Sequence, residues 1–228
     1  LSGGIDSALT LTIASDIFNK ENIEAVLLPS VFTSDLSIQL AKEQCEILGI
    51  KYSFISIEGI NDAISESLKD RFNGLPNDIT EENIQARSRG LILMSISNKT
   101  GKILLTTGNK SELAVGYSTL YGDMAGSFAP LKDIYKTDVY NLSRYRNSIS
   151  SVIPEAVIDR MPTAELAQDQ YDIDTLPQYD VLDNILKSFI EEKKSLEEIC
   201  SMGHELNLVS NIINMVIKNE YKRRQYAP

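Results

Sequence analysis

The run Ser2-Gly3-Gly4-Ile5-Asp6-Ser7 places two adjacent glycines, two hydroxyl side chains and a carboxylate directly before an apolar stretch. Glycines let a backbone curl close to a ligand, and serine hydroxyls donate hydrogen bonds without filling the space. That combination suits a phosphate group. Ile5, Ala8, Leu9, Leu11, Ile13, Ala14 and Ile17 predict a helix buried on most sides, so the glycines stand at its electropositive N-terminus. Asp6, in the first helical turn, is then a candidate ligand for a cation.

A second group of polar residues lies a hundred positions on. Thr107-Gly108-Asn109-Lys110-Ser111-Glu112 follows an apolar run and opens a helix, which predicts that it reaches the same sheet edge as the opening loop. Glu112 could there share with Asp6 the magnesium that neutralises a triphosphate, because hard cations choose oxygen ligands. Read by itself, Glu112 is a first-turn glutamate facing solvent. Tyr121-Gly122-Asp123 adds a further carboxylate in a loop or is simply a turn. The positive groups available are Arg87 with Arg89, Lys110, Lys132 with Lys136, and Lys222-Arg223-Arg224, each also readable as a solvated charge on a helix face.

The elements that must position these groups follow from periodicity. Residues 24–28 and 52–57 are short apolar or β-branched runs that predict buried parallel strands, and residues 103–107 predict a third. Between the first two, residues 35–48 have helical spacing and end at Gly49; a helix over 81–97 precedes the third strand. Residues 73–77 read as a mobile surface loop. Beyond Thr137 the strand signal fades: 139–145, 156–160, 181–190 and 206–217 are helical in pattern, Ser195 to Glu198 has capping-box form, and 162–179 reads as a long irregular connection. The expected fold class is α/β, a doubly wound parallel sheet with a helical C-terminal region, ligands sitting at the carboxyl ends of the strands.

Composition narrows the function. With 228 residues, 43% of them hydrophobic, the chain can bury a full core, and its net charge of −10 opposes broad binding to nucleic acid. It has neither an apolar run of membrane length nor a basic, apolar, small-residue leader, so no membrane association is expected. Cys45 and Cys200 lack ligand spacing and suit reduced thiols in the cytoplasm; zinc is not expected, and the single His204 reads as structural.

The opening loop lacks the Gly-Lys pair of the common nucleotide loop and the spacing of the dinucleotide fingerprint. It resembles the SGGxDS loop of the ATP-pyrophosphatase enzymes, which split ATP between its α and β phosphates. Asn83-Ile84-Gln85-Ala86-Arg87, the run from Thr107 to Tyr117, Leu120-Tyr121-Gly122-Asp123, Pro162-Thr163-Ala164-Glu165-Leu166, the run from Leu176 to Asp183, and Glu220-Tyr221-Lys222-Arg223-Arg224-Gln225 all resemble NAD synthetase motifs. They stand in the family's order over nearly the whole chain. The resemblance implies an adenine nucleotide alpha hydrolase-like, Rossmann-like fold in one ATP-pyrophosphatase domain over 1–228, with an α/β nucleotide-binding core at 1–137 and a helical part at 138–228.

The resemblance also implies ATP-dependent amidation of deamido-NAD through an adenylate, with ammonia displacing AMP. Ser2, Gly3, Gly4, Asp6, Ser7, Thr107, Lys136 and Thr163 would then contact ATP, Asp6 and Glu112 would hold Mg2+, and Asp6 and Lys136 would be catalytic. Arg87, Arg89, Tyr121, Asp123 and Lys222 would face deamido-NAD, and a homodimer is implied. After Tyr121-Gly122-Asp123 the ammonia-using members carry a second aspartate where this chain has Ser127. The run from Gly122 to Asp133 and the ending around Glu220 to Gln225 are more similar to the glutamine-dependent form, which implies an upstream glutaminase domain. A loop of this kind needs a strand to feed it, so the natural protein is expected to extend beyond Leu1, and the family's usual continuation past Gln225 is also expected. Rival readings are another ATP-pyrophosphatase amidotransferase such as GMP synthetase, and a non-catalytic ATP-binding module.

Overall fold

The structure, a computed structural model, describes residues 1–167 and 170–228. Helix α1 (Ile5–Ile17) buries Ile5, Ala8, Leu9, Leu11 and Ala14 together with Ser7, Thr10 and Thr12, so it is enclosed on most sides, as its sequence predicts. Strands β1 (Glu24–Leu27) and β2 (Lys51–Phe54) pair in parallel, in register from Glu24 opposite Lys51 to Leu27 opposite Phe54. Helix α2 (Asp35–Leu48) makes the crossover. It starts because the Ser34 hydroxyl accepts the Ser37 N–H, and it stops at Gly49, whose φ of 66° a side chain would resist. Its buried face, Leu40, Ala41, Cys45 and Leu48, packs on the strand pair and on α1.

The run 103–107 does not join this sheet. Leu105 instead makes an isolated parallel bridge to Phe128, with the Thr106 N–H donating to the Phe128 carbonyl (2.9 Å) and the Ser127 N–H to the Leu104 carbonyl (2.8 Å). Gly126 allows this approach: a Cβ there would stand 2.3 Å from Thr106 Cγ2. The apolar run therefore spends its backbone groups on a downstream loop, and the sheet among the described residues has two strands.

Helix α3 (Glu58–Phe72) fully buries no residue, its apolar positions Ile60, Ile64, Leu68 and Phe72 lying on one side at four-residue spacing and only half-buried. Helix α4 (Ile79–Thr100) begins at a capping box between Asp78 and Glu81 and ends at Gly101, with residues 73–77 in the connection before it. Short α5 (Lys110–Val115), α6 (Lys136–Ile149) and α7 (Glu155–Asp159) follow. The connection from 162 to 178 has a single 3-10 turn at Asp172–Asp174, and its residues 168 and 169 lie outside the described residues. Helices α8 (Tyr179–Ile190), α9 (Leu196–Ser201), α10 (Leu206–Lys218) and α11 (Glu220–Arg223) close the chain, α9 behind the capping box of Ser195 and Glu198.

Two apolar clusters hold these elements. The first joins α1, α2 and β1 to α6 and α7 through Ile5, Leu9, Leu40, Val139 and Val157; the second joins α5, α8, α9 and α10 through Val115, Leu182, Leu186, Ile199 and Ile212. Each fully buried Leu or Ile contributes roughly 1.5–3 kcal/mol. Cys45 is buried and its thiol is pushed up to about 11 by that burial, while His204 bonds Asn184 Oδ1 at 2.9 Å on the surface. Among the described residues no helix is long and apolar enough to cross a membrane.

Candidate active site

Between Leu1 and α1 the chain turns on Gly3, whose φ is +82°, and Gly4 caps the helix in an extended conformation. The two serines lace the turn: the Ser2 N–H donates to Ser7 Oγ (3.1 Å), the two hydroxyl oxygens are 3.0 Å apart, and Ser7 Oγ donates to the Gly4 carbonyl (3.0 Å). The first-turn N–H groups of α1, which have no partner within a helix, are thereby held at the mouth of a cleft of about 870 Å³.

Lys136 stands at the base of this cleft. Its Nζ lies 2.5 Å from Asp6 Oδ2 and 3.1 Å from Glu112 Oε1, with the Tyr179 ring centroid 5.2 Å away, and its side chain is only 3% exposed. One amide sets both carboxylates. Asn109, fully buried, donates from Nδ2 to Asp6 Oδ1 (2.8 Å) and accepts the Glu112 N–H on Oδ1 (3.0 Å), so the cap of α5 is also the brace for Asp6. The bond to Asp6 reaches a residue 103 positions away and leaves no local signal in the sequence.

Asp172 brings a third carboxylate close. It is buried, accepting the Tyr179 hydroxyl at 2.8 Å and the Tyr117 hydroxyl at 3.4 Å. Burial opposes the Lys136 charge, but Asp6 and Glu112 overcome it, so its pKa lies above the ordinary lysine value. Glu112 is raised to about 7 by burial and, against Lys136, by Asp6 and Asp172. The folded chain therefore keeps a proton that the unfolded chain releases near 4.5, and stability falls as pH rises through the interval up to about 7. Without nucleotide, thermal unfolding should come lower at about pH 8 than at about pH 5.5, and Glu112→Gln should flatten that difference by roughly 5 °C. An unaltered slope in Glu112→Gln would contradict the assignment.

The donor set suits a hard cation. Two carboxylates already converge on one positive atom, the Lys136 ammonium, and magnesium usually takes one or two carboxylates with the rest from phosphate oxygens and water. Among the described residues no group of three His, Cys, Asp or Glu side chains has the arrangement of an all-protein metal cage.

Most of the residues picked out from the sequence line the same cleft: Ser2, Gly4, Asp6, Ser7, Thr107, Glu112, Lys136 and Thr163, with Arg89, Asp123 and Lys222 further along it. Arg89 is largely buried, donating to the Leu28 carbonyl (2.9 Å); burial pulls its pKa down to about 10, and Glu165 counters the shift. Lys222 Nζ donates to the carbonyls of Gly116 (2.7 Å) and Ser118 (2.6 Å), and Asp123 Oδ1 accepts the Thr119 N–H (2.6 Å). Thr163 Oγ1 donates to the Gln170 carbonyl.

Three residues depart from expectation. Arg87 is exposed on α4 beside the buried Ala86 and Ser88, its Nε donating to the Leu120 carbonyl (3.2 Å), and Tyr121, in a turn with φ of 64°, is 70% exposed with its hydroxyl on Gln225 (3.2 Å); neither lines the cleft. Gly3 turns away from the cleft, against the carbonyl of Ser37. A further set, missed in the sequence, pins residues 162–166 beside the loop. Glu165 Oε1 accepts from Ser34 Oγ (2.8 Å), Ser37 Oγ (2.7 Å) and Arg160 Nη2 (3.0 Å), which joins this segment to the N-terminus of α2.

Comparison with known proteins places this geometry. The NAD synthase family profile matches residues 1–226. The glutamine-dependent NAD(+) synthetase of Acinetobacter baylyi is 52% identical over 229 residues, covering 100% of this chain and 42% of its own length; that of Thermotoga maritima is 51% identical over 229 residues, covering 100% and 40%. The chain thus spans about two-fifths of these relatives. Among solved structures, the glutamine-dependent NAD+ synthetase of Acinetobacter baumannii in complex with ADP is similar with a TM-score of 0.70 at 48% identity, covering 100% of this chain and 41% of that one. The NMN synthetase of Francisella tularensis is similar with a TM-score of 0.80 at 28% identity, covering 98% and 84%. The parallel α/β fold expected from the sequence is the fold of these neighbours.

Proposed function

The chain belongs to the NAD synthase family, and on that premise we propose that it catalyses the ATP-dependent amidation of deamido-NAD to NAD. The observation that carries this reading is the Asp6–Lys136–Glu112 cluster, braced by Asn109, at the foot of a glycine loop and inside one cleft. The nicotinate carboxylate oxygen attacks the α-phosphorus of ATP; the bond to the β-phosphate breaks and pyrophosphate leaves. Ammonia then attacks the acyl carbon, AMP departs with the former carboxylate oxygen, and one proton is released.

Each step has a residue to serve it. The α1 N-terminus and the hydroxyls of Ser2 and Ser7 receive phosphate oxygens, and the Lys136 ammonium faces the charge that develops on the departing pyrophosphate. Mg2+ held by Asp6 and Glu112 would neutralise the triphosphate and polarise the reacting phosphate. Thr107 and Thr163 border the nucleotide end, while Arg89, Asp123 and Lys222 receive deamido-NAD; a buried guanidinium is suited to an anionic dinucleotide. The exposed Arg87 and Tyr121 are left out of this assignment. Ammonia comes from solution or from glutamine hydrolysed by a glutaminase domain, and a cytoplasmic homodimer accords with the family resemblance.

The experiment is a coupled assay for pyrophosphate release with ATP, Mg2+, ammonium and either deamido-NAD, nicotinate mononucleotide or XMP. Turnover of deamido-NAD at least about 100-fold above the other two in kcat/KM is expected, since the cleft must reject a missing nucleotide half. Turnover of XMP without deamido-NAD would replace the reading by that of a GMP synthetase. ATP binding with no turnover of any carboxylate would replace it by that of a nucleotide-binding module.

A further inference from the structure

The face that α8 turns into the second apolar cluster is built from Leu182, Ile185 and Leu186, all fully buried, and interrupted by one carboxylate, Asp183. Burying a carboxylate is unfavourable unless hydrogen bonds or a helix N-terminus compensate. Here both do. Asp183 accepts the Ser111 hydroxyl on Oδ1 and the Thr137 N–H on Oδ2 (2.9 Å), and Ser111 Oγ in turn accepts the Lys136 N–H (2.9 Å).

Lys136 and Thr137 are the first two residues of α6, whose cap residue, Tyr135, supplies no side-chain bond. Both of their N–H groups are served through Asp183, one directly and one by way of Ser111. Ser111 immediately precedes Glu112 on α5. A single carboxylate on the helical layer thus ties down the backbone under the ammonium and under one of its two partners, while touching neither side chain.

The geometry points to Asp183 as a positioning residue that holds Lys136 and Glu112 in register for phosphate and metal. This rests on the roles given to those two residues above. A purely packing role would be met by another apolar side chain, as at Leu182 and Leu186, and would leave the Lys136 ammonium where it is.

The decisive readout is the 15Nζ resonance of Lys136 in the ligand-free chain, assigned by its absence in Lys136→Arg, with kcat and the Mg2+ dependence measured beside it. Asp183→Ala should shift or broaden that resonance, raise the Mg2+ requirement several-fold and lower kcat by roughly 30- to 100-fold, a loss typical of a misplacement of about 1 Å. Adding Ser111→Ala should change little more, because the two act along one path. Leu186→Ala, which destabilises the same helix through lost packing, should leave both the resonance and the kcat of the folded fraction in place.

If Asp183→Ala does not fold, Asp183→Asn decides: it must move the resonance and lower kcat at least about fivefold. An unmoved resonance with kcat within about twofold of the parent overturns the proposal, as does an equal shift in Leu186→Ala. A parent chain that fails to turn over deamido-NAD would instead overturn the function proposed above, and the ligand-free resonance would still judge Asp183.

Discussion

Replacing Lys136 with methionine should lower the rate of pyrophosphate formation by roughly 10³-fold, the upper range for removal of one charged group aimed at a developing anion. The substitution keeps the length and apolar stem of the side chain and removes the only ammonium within bonding distance of Asp6 and Glu112 among the described residues. Two half-buried carboxylates then face each other, so unfolding temperature should also fall. Mg2+ separates the two effects. If Lys136 were merely a counter-ion, excess Mg2+ would fill its place and return both stability and rate. If it holds the pyrophosphate, Mg2+ restores the unfolding temperature and leaves the rate depressed. Recovery of the rate to within about tenfold of the parent would refute the catalytic role.

Gly3→Ala should be the most damaging change to the loop. Its φ of +82° lies in the region that side chains resist, at about 1–2 kcal/mol, and a Cβ there would stand 2.3 Å from the backbone carbonyl of Ser37. That carbonyl belongs to the first turn of α2, which Ser34 caps and Glu165 fastens from the far side, so it has little room to withdraw. A combined loss of about 3 kcal/mol is expected, or roughly 6–12 °C in unfolding temperature, with ATP affinity reduced at least about tenfold. Gly4→Ala is the contrast. Its φ is −90° and the nearest atom to a Cβ is the side-chain Oγ of Ser2 at 3.3 Å, a hydroxyl that needs to give by only a few tenths of an ångström, so the fold should tolerate it. Calorimetry and ATP titration of the two variants check this; equal unfolding temperatures would contradict it.

Local signals in the sequence specify structure where one element satisfies itself. Helix α2 has the bounds its periodicity, cap and terminal glycine indicate, and the Ser195 capping box is formed. Local signals mislead where partners are distant. Residues 103–107 look like a buried strand, yet their hydrogen bonds go to 127 and 128, a choice made by loop packing rather than by apolar content. Helix α3 is not among the expected elements although Ile60, Ile64, Leu68 and Phe72 recur every four residues; the stripe is narrow and only half-buried.

The site divides in the same way. Asp6 and Glu112 were visible because each stands in the first turn of a helix behind a turn signal. Asn109, Asp172 and Asp183 were not singled out, since each has a partner 46 to 103 positions away and a side chain whose type is common in caps and loops. The outward placement of Arg87 and Tyr121 is equally hidden, because it depends on which face α4 buries and on the positive backbone dihedral at 121.

The central claim, that this loop and cluster break ATP between its α and β phosphates on behalf of a carboxylate, is tested most directly by 31P NMR of the products formed from ATP, Mg2+, ammonium and deamido-NAD. AMP and pyrophosphate in equal amounts, appearing only when deamido-NAD is present, are predicted. ADP and inorganic phosphate, or AMP released at the same rate without deamido-NAD, would contradict the account.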